Sequence, residues 1–374
     1  MRKTLALLLV AFMVPAAVLA ADVIKIGVCM PITGPAAAAG EYAKYGLDLA
    51  AEQQNAKGGV EVGGKKYLIK LIYEDNEGKP EISVNAFNKL IGQDEVAAIV
   101  GPDMSMCLIS AGPVAQMYEV PAIGTTTSNP TVTDVGDFIF RACWIDDYQG
   151  LVCAKMAKEM LGADTVAVLY SNADDYSMGL TSSFEKEFTA MGGKVVKEAY
   201  AGTDVRDFNA QLTNIKNAGA QVLFLPNQAN ELPLQIKQAK TMGLNLEIMG
   251  EMSWDNPNVP ELAGNDMVEG CLFISLFAPD NPSPVSKAFT DSFKAKYNLL
   301  PNTQSVMSFD SFQIIMNALE RAGTTNGAAL RDAIAATDME VPSGHITFDE
   351  KRNPQKSANV MVYHNGVPTY KGTL

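Results

Sequence analysis

The chain has 374 residues, of which 47% are hydrophobic and 19% are charged, so it can bury a core of ordinary size in about two domains. Its formal net charge of −13 argues against nucleic acid and anionic membrane surfaces as partners. The chain has only two histidines, and its five cysteines are scattered without CxxC spacing. This composition gives a histidine-based metal site almost no support and favours buried free thiols over a disulfide framework.

The first residues have the pattern of an export signal. A basic start is followed by the apolar stretch Leu5–Val14 and by a small-residue cleavage site that ends at Ala20. The alternative is a membrane helix, but the apolar run ends at Asp22, short of the ~20 residues and flanking anchors that a span needs. We therefore expect residues 1–20 to be removed and the mature chain to be exported and soluble.

Short apolar runs alternate with helical segments in the first half of the mature chain. A short apolar run that stops at glycine or proline is typical of a buried strand in a parallel sheet. The predicted strands are Val23–Met30, Tyr67–Glu74, Ala97–Val100, Val120–Ile123 and Phe138–Ala142. Helices are predicted over Glu41–Asn55, from Pro80, over the segment that contains Cys107 and Tyr118, and from Asp146 to Met160.

The alternation starts afresh near residue 165. The predicted strands are Thr165–Tyr170, Val195–Ala199, Val222–Leu225, Leu246–Met249 and Cys271–Phe277, with helices at Met178–Met191, Asp207–Asn217 and Glu231–Met242. The chain then returns through helices Val285–Tyr297, Thr303–Arg321 and Gly327–Ala336 and strands Ile346–Phe348 and Ala358–Tyr363. Repeated strand–helix units predict an α/β protein of two doubly wound, parallel-sheet lobes.

The stretch from Ala97 to Pro130 carries the clearest candidate site. Ser105 follows the first of its two strands, and the hydroxyl run Thr125–Ser128 follows the second. Loops at the carboxyl ends of parallel strands face the ligand crevice, and hydroxyls beside a helix N-terminus can seat a carboxylate. The alternative is that Ser105 and Ser128 only cap helices.

Three loops that follow strands of the second half can form a facing wall. They contain Tyr176, then Gln228, and then the run from Glu251 to Asp255. A two-lobed protein can close these amides, acids and aromatic rings over an anion held by the first lobe. Each loop taken singly is an ordinary polar loop, so their joint position at strand ends is what supports the hypothesis.

Most signatures of catalysis are missing from the sequence. It contains no GxGxxG after a strand, no phosphate-binding GxxxxGK[ST], no GxSxG and no HExxH. An exported α/β enzyme that acts on a small acid remains a second hypothesis, but no clear nucleophile–base pair is present.

Several short motifs occur in a characteristic order. They are IKIGVCMPITGP near the start, NAKGG at 55–59, the Gly101–Ser105 and Thr125–Pro130 loops, FRACWIDDYQG at 140–150, DDYSMGL at 174–180, ELAG at 261–264 and FDSFQIIMNALERAG at 309–323. In this order they resemble the type I periplasmic solute-binding proteins of the leucine/isoleucine/valine-binding kind, which serve ABC importers. The resemblance covers essentially the whole mature chain.

The resemblance implies two lobes that close around a ligand by a hinge of three crossovers, near residues 143, 275 and 354. The expected N-terminal lobe comprises 21–143 plus 276–353, and the C-terminal lobe comprises 144–275 plus 354–374. The implied partners are a small-molecule ligand and the membrane permease of the importer, and we expect a monomer that needs no cofactor or metal.

The resemblance also implies the ligand contacts. Ser105, Thr126 and Ser128 would hold the ligand carboxylate, with Thr126 acting through its backbone, and Tyr176 and Gln228 would close from the second lobe. The acid that pairs the ligand ammonium in this family falls at Met252 here. Three possibilities remain open: Glu251 takes the ammonium, Asp255 takes it, or the ligand has none.

Other departures from the family pattern concern the walls of the pocket. Glu77 and Met104 stand about where the family has a disulfide, so this crosslink is expected to be absent, and Met104 becomes a candidate contact. Ala39 replaces an aromatic ring of the first loop, which suggests a roomier pocket that Trp144 and Trp254 can line.

Together these observations predict an exported binding protein that captures a small carboxylate, above all a branched-chain or similar amino acid, and delivers it to an ABC importer. A carboxylate without an amino group and a sensory ligand-binding module are the alternatives. The sequence does not separate transport from sensing.

Overall fold

The computed structural model describes residues 22–34, 36–202 and 205–374, and the predicted export signal, residues 1–20, lies outside them. The first part of the described chain alternates strands and helices. Its strands are β1 (Val23–Met30), β2 (Val60–Val62), β3 (Lys65–Asp75), β4 (Ala98–Val100), β5 (Ala122–Gly124) and β6 (Ile139–Arg141). Its helices are α1 (Ala37–Ala56), α2 (Pro80–Gly92) and α3 (Ser105–Met117), with a short 3₁₀ helix at Pro130–Val135.

The second part begins with α4 (Asp146–Lys155), which continues as a π-helical turn over Met156–Met160. Its strands are β7 (Thr165–Ser171), β8 (Lys194–Tyr200), β9 (Val222–Phe224), β10 (Glu247–Gly250) and β11 (Leu272–Ser275). Its helices are α5 (Asp175–Ala190), α6 (Asn209–Asn217), α7 (Leu232–Thr241), α8 (Asn258–Ala263) and α9 (Asn265–Val268), with a 3₁₀ turn at Met252–Trp254.

The last part contains three helices and five strands among the described residues. The helices are α10 (Pro284–Tyr297), α11 (Thr303–Ala322) and α12 (Gly327–Ala335). The strands are β12 (Asp338–Val341), β13 (Gly344–Phe348), β14 (Pro354–Gln355), β15 (Asn359–His364) and β16 (Val367–Thr373).

Two large sheets organise the described residues. The first has the order β2-β3-β1-β4-β5-β6, and the second has the order β16-β15-β11-β10-β9-β7-β8. Strand β1 pairs in parallel with β3 and β4, and β10 pairs in parallel with β9 and β11. Antiparallel pairs occur at the edges, where β2 joins β3 and where β15 joins β11 and β16. The α/β class with parallel-rich, doubly wound sheets is confirmed.

The chain passes between the neighbourhoods of the two sheets three times. It crosses between β6 and α4, again between β11 and α10, and finally between β14 and β15. We call the first sheet with the helices packed on it the first lobe, and the second sheet with its helices the second lobe. The exact lobe boundaries predicted from the sequence stay a prediction.

Apolar side chains cover both faces of each sheet. One core cluster runs along α1 and α11 and continues beside α4 and α5, so it reaches both lobes. A second cluster lies between the opposite face of the second sheet and α6, α7 and α8, and a third lies between the first sheet and α2 and α3. The central strands β4 and β5 are buried along their whole length, because helices cover both faces.

Some elements were not predicted from the sequence. The edge strands β12 and β16 and the short helices α8 and α9 lack a long apolar run, and β16 is largely exposed. Such elements are stabilised by pairing with neighbours rather than by their own hydrophobic pattern.

Three features concern the described residues as a whole. No described helix is both long and apolar enough to cross a membrane. Within the same ranges there is no cluster of three or more potential metal ligands. All five cysteines lie in the described part and are buried and unpaired.

Candidate ligand-binding site

The loop after β4 turns sharply into α3. Gly101 has a φ of +98°, and a Cβ atom at this position would lie 2.2 Å from the carbonyl oxygen of Cys29. Only glycine fits such a close approach of two backbones. The turn places Ser105 as the first residue of α3, at the carboxyl edge of the sheet, where the amides of the first helical turn have no intrahelical acceptor.

The hydroxyls of the two first-lobe loops do not cap helices. The N-cap of α3 is Met104, which makes no side-chain cap, whereas the Ser105 Oγ accepts a hydrogen bond from the Asn129 amide at 3.2 Å. Ser128 is not an N-cap either, because Asn129 is the N-cap of the 3₁₀ helix that follows, and the carbonyl oxygen of Ser128 accepts from the Asp146 amide at 3.1 Å. The capping alternative is therefore not what the structure shows for either serine.

A buried arginine holds the loop after β5 in place. Arg141 is fully buried on β6, and its guanidinium donates to three carbonyl oxygens and one hydroxyl. The acceptors are the carbonyls of Thr127, Asn129 and Pro130 at 2.7–3.1 Å and the Thr133 hydroxyl at 3.3 Å. These bonds turn the loop carbonyls toward the guanidinium.

The two first-lobe loops are also tied to each other. Thr126 Oγ1 donates to the carbonyl oxygen of Asp103 at 2.9 Å, so this hydroxyl is engaged within the protein. Asp103 itself is buried, and burial raises the pKa of its carboxyl group to about 6. Its Oδ1 has no hydrogen-bond partner within the described part of the chain.

The second lobe contributes a tyrosine–glutamate pair. Tyr176 lies in the first turn of α5, whose N-cap Asp174 accepts from the Tyr176 amide at 3.1 Å. The Tyr176 hydroxyl lies 2.5 Å from Glu251 Oε2, which also accepts from the Ser253 amide at 2.7 Å. Glu251 is fully buried, and burial raises the pKa of its carboxyl group to about 7. Its second oxygen, Oε1, has no partner among the described residues.

Gln149 and Asp146 connect this pair to the first lobe. Gln149 is fully buried on α4, and its Nε2 donates to Asp146 Oδ1 at 3.1 Å, while its Oε1 lies 3.5 Å from the Tyr176 hydroxyl. Side-chain hydrogen bonds thus run from Asp146 through Gln149 and Tyr176 to Glu251, and the Asp146 amide donates to the Ser128 carbonyl oxygen at 3.1 Å. Burial raises the pKa of Asp146 to about 6.

Asp255 lies in a different environment from Glu251. Its Oδ2 accepts from the Ser275 hydroxyl at 2.9 Å at the end of β11, and it also accepts from the Thr303 hydroxyl at the start of α11. Asp255 thus joins the second lobe to a crossover and to a first-lobe helix. A cavity of about 490 Å³ lies beside it, lined by Tyr42 and Pro301 among others.

The structure corrects the expectation for Trp254. Its ring is fully buried in the core of the second lobe, where it stacks on Phe273, and its Nε1 donates to the carbonyl oxygen of Leu225 at 3.1 Å. A Cβ on Gly250 would lie 1.8 Å from this Nε1, so the ring occupies the space that the glycine leaves. Trp254 therefore supports the site from behind and does not line it.

The remaining candidates are placed as follows. Gln228 is exposed and donates to Asp174 Oδ2 at 3.1 Å. Met252 is partly buried in the 3₁₀ turn after Glu251. Trp144 is buried beside Tyr148 in the first crossover, and its Nε1 has no partner within the described ranges.

Met104 packs across the loop after β3. Its Sδ lies 3.3 Å from the position that a Cβ atom on Gly78 would occupy. The Met104 side chain therefore covers the segment where the family has a disulfide, which this chain was expected to lack. The Met104 side chain makes an apolar contact at this position, and every cysteine of the described chain is unpaired.

The fold has two lobes with parallel-rich sheets, and the chain crosses between them three times. Polar loops of both lobes lie at the carboxyl ends of the strands. These features define a class of protein that holds a small solute between its lobes. The family model described as periplasmic binding protein matches residues 23–366. The chain belongs to this family.

Individual related proteins support the same class. The chain is 33% identical over 338 residues to the leucine-, isoleucine-, valine-, threonine-, and alanine-binding protein of Pseudomonas aeruginosa, with 89% of this chain and 87% of the relative covered. The leucine-binding protein LivK of Thermotoga maritima superposes with a TM-score of 0.82 at 30% identity, covering 94% of this chain and 98% of that one. LivJ of Streptococcus pneumoniae, a branched-chain amino acid transporter substrate-binding protein solved with isoleucine, superposes with a TM-score of 0.82 at 29% identity, covering 94% and 99%. These relatives are binding proteins rather than enzymes.

Sequence reasoning missed Arg141, Asp146 and Gln149 as parts of the site. All three lie in the motif FRACWIDDYQG, which the sequence marks as characteristic. Their partners are in other loops, so the motif alone does not indicate what they hold.

Proposed function

We propose that this chain is an exported solute-binding protein that captures an α-amino acid with a small apolar side chain and delivers it to an ABC importer. The leader at residues 1–20 is cleaved after Ala20, and the mature protein works in the periplasm as a monomer. The lobes close on the ligand, and the closed form is the one that the permease recognises. The names of the relatives support this ligand class.

The observation that carries the proposal is the free oxygen of a buried carboxylate. Glu251 Oε1 has no partner within the described ranges, although the side chain is fully buried. A buried carboxylate oxygen without a partner is costly, and an ammonium group of the ligand supplies both charge and hydrogen-bond donors. Glu251 thus takes the place of the acid that the family pattern puts at Met252.

The first lobe provides the complementary half of the site. In this arrangement the Ser105 hydroxyl and the amides of the α3 first turn bind the ligand carboxylate, and Thr126 contributes through its backbone because its hydroxyl is engaged by Asp103. Asp255 is engaged by Ser275 and Thr303, so it serves the hinge rather than the ammonium.

The test compares an amino acid with its desamino analogue. In Glu251→Gln we expect calorimetric affinity for leucine to fall about tenfold or more, the equivalent of one charge-assisted hydrogen bond, while affinity for 4-methylpentanoate does not fall. Glu269→Gln, at an exposed glutamate paired with His364, is the matched control and should change neither. Equal losses for both ligands in Glu251→Gln would show that Glu251 does not bind the ammonium.

A further inference from the structure

The contacts of Gln149 assign it a role that goes beyond holding its neighbours. We propose that Gln149 is a positioning residue that allows the ligand-free protein to keep a proton on Glu251, and that the ammonium group of an amino acid displaces this proton into solvent. This inference rests on the proposed function, because the displacing group is the ammonium of the ligand.

The orientation of the Gln149 amide follows from its partners. Nε2 must face Asp146 Oδ1, 3.1 Å away, because a carboxylate oxygen can only accept. The Gln149 Oε1 therefore faces the Tyr176 hydroxyl at 3.5 Å, on the side away from Asp146. Gln149 is fully buried, so this acceptor is shielded from bulk solvent.

Two proton arrangements are compatible with these positions. When Glu251 is ionised, Tyr176 donates its hydroxyl proton across 2.5 Å to Oε2. When Glu251 is protonated, it donates to the Tyr176 oxygen, and Tyr176 turns its own proton to Gln149 Oε1. Gln149 supplies a buried acceptor for the tyrosine proton in this second arrangement. The Ser253 hydroxyl lies 3.4 Å from the Tyr176 oxygen and can donate to it in both arrangements.

Several polar and charged groups surround Glu251, and the charge of Asp146 disfavours its ionised form. From α4, Asp146 acts on it through space, and the Cys153 thiol lies 3.8 Å from the neighbouring Gly250 carbonyl. From α5 comes Tyr176. The N-cap of this helix, Asp174, accepts a hydrogen bond from Gln228 of the loop after β9. On its own loop, Asp255 is held by two hydroxyls.

Burial and the nearby Asp146 charge raise the pKa of Glu251 to about 7, so the group is about half protonated near neutral pH. An ammonium group beside Oε1 stabilises the ionised form and lowers this pKa. The proton leaves to the buffer, and no other bond changes. Binding of the amino acid is then coupled to release of about half a proton near pH 7.

The experiment measures the proton directly, with and without ligand. In the full mature chain carrying ¹³C-labelled glutamate, the Glu251 carboxyl signal, assigned through Glu251→Gln, should titrate near neutral pH. Gln149→Met should lower that pKa by about 0.5 or more, because the acceptor for the protonated arrangement is gone. Tyr176→Phe should raise it, because the donor to the ionised form is gone. Opposite signs in the two variants are not expected from general loosening of the structure.

Calorimetry with leucine in phosphate and in Tris buffer at about pH 7 then counts the protons released. We expect about half a proton for the natural chain and for Glu269→Gln, and none for Glu251→Gln or for 4-methylpentanoate as ligand. A Glu251 that stays ionised down to about pH 5.5 without ligand, or an unchanged proton count in Glu251→Gln, overturns the proposal. If Glu251 titrates as expected but no amino acid binds, the proton arrangement is supported and the proposed ligand class alone fails.

Discussion

At the scale of single residues, the site is decided by which polar atoms already have partners. The Thr126 hydroxyl is bonded to a backbone carbonyl, and Ser128 lies beside the buried Asp146, whose carboxyl pKa it helps to lower. Ser105 accepts from the Asn129 amide but keeps its own proton for another acceptor. Among these three hydroxyls, Ser105 is therefore the one best suited to donate to a ligand carboxylate.

This asymmetry predicts that Ser105→Ala weakens leucine binding about tenfold or more, the range of one hydrogen bond to a charged group. The thermal midpoint should change little, because the side chain is only partly buried. Ser110→Ala, at an exposed serine of the same helix, should leave calorimetric affinity unchanged. Equal affinities for the natural chain and Ser105→Ala would remove Ser105 from the site.

At the scale of elements, polar side chains tie the crossovers to one another and to the lobes. Lys356, in the third crossover, is buried and donates to the Ala142 carbonyl of the first crossover at 3.2 Å and to Ser343 at 2.6 Å. Ser343 in turn bonds Asp310 on α11. Asp255 belongs to the same class of contacts, since it joins the loop after β10 to Ser275 and Thr303.

Because Asp255 is engaged at the hinge, Asp255→Asn should act on lobe closure and not on recognition of the ammonium. We expect it to change the affinities for leucine and for 4-methylpentanoate by the same factor, within about twofold. Small-angle scattering of the ligand-free protein should report a changed balance of open and closed forms. A loss confined to leucine would instead return the ammonium role to Asp255.

At the scale of the whole molecule, buried acids link stability to pH. Burial raises the pKa values of Asp103, Asp146 and Asp310 to about 6 and that of Glu251 to about 7. Between roughly pH 4 and these values the native chain holds protons that the unfolded chain has released. Stability therefore rises as the pH falls through this window and is lost as the pH rises through it.

We expect the thermal midpoint of the ligand-free mature protein to be higher at about pH 5.5 than at about pH 7.5, by about 3 °C or more, since 1 kcal/mol corresponds to roughly 2–4 °C for domains of this size. Saturating leucine should reduce the difference, because it favours ionised Glu251. Thermal unfolding followed by circular dichroism measures both, and a midpoint that falls on acidification would contradict the link.

The order of strands and helices was predictable because apolar runs and their glycine or proline stops are local features. Strand β1 was predicted with its observed bounds, and the loops of Ser105 and Thr126 were found at strand ends as expected. The ends of helices were less well predicted: α1 begins at Ala37 rather than Glu41. Edge strand β16 was missed, because pairing with β15 stabilises it and its own pattern does not.

By itself the sequence determined the fold class, the two sets of polar loops and the lack of catalytic motifs, because hydrophobic period and turn chemistry act over a few residues. Only the tertiary structure showed that, within the described part of the chain, Glu251 keeps an oxygen without a partner while Asp255 is bonded by Ser275 and Thr303. It also placed Trp254 in the core and joined Gln149 to Tyr176. The atoms concerned come from distant parts of the chain: the Tyr176 hydroxyl and Glu251 are separated by 75 positions, and Asp255 and Thr303 by 48. Which partner a polar side chain finds depends on how the lobes pack, and no local pattern encodes it.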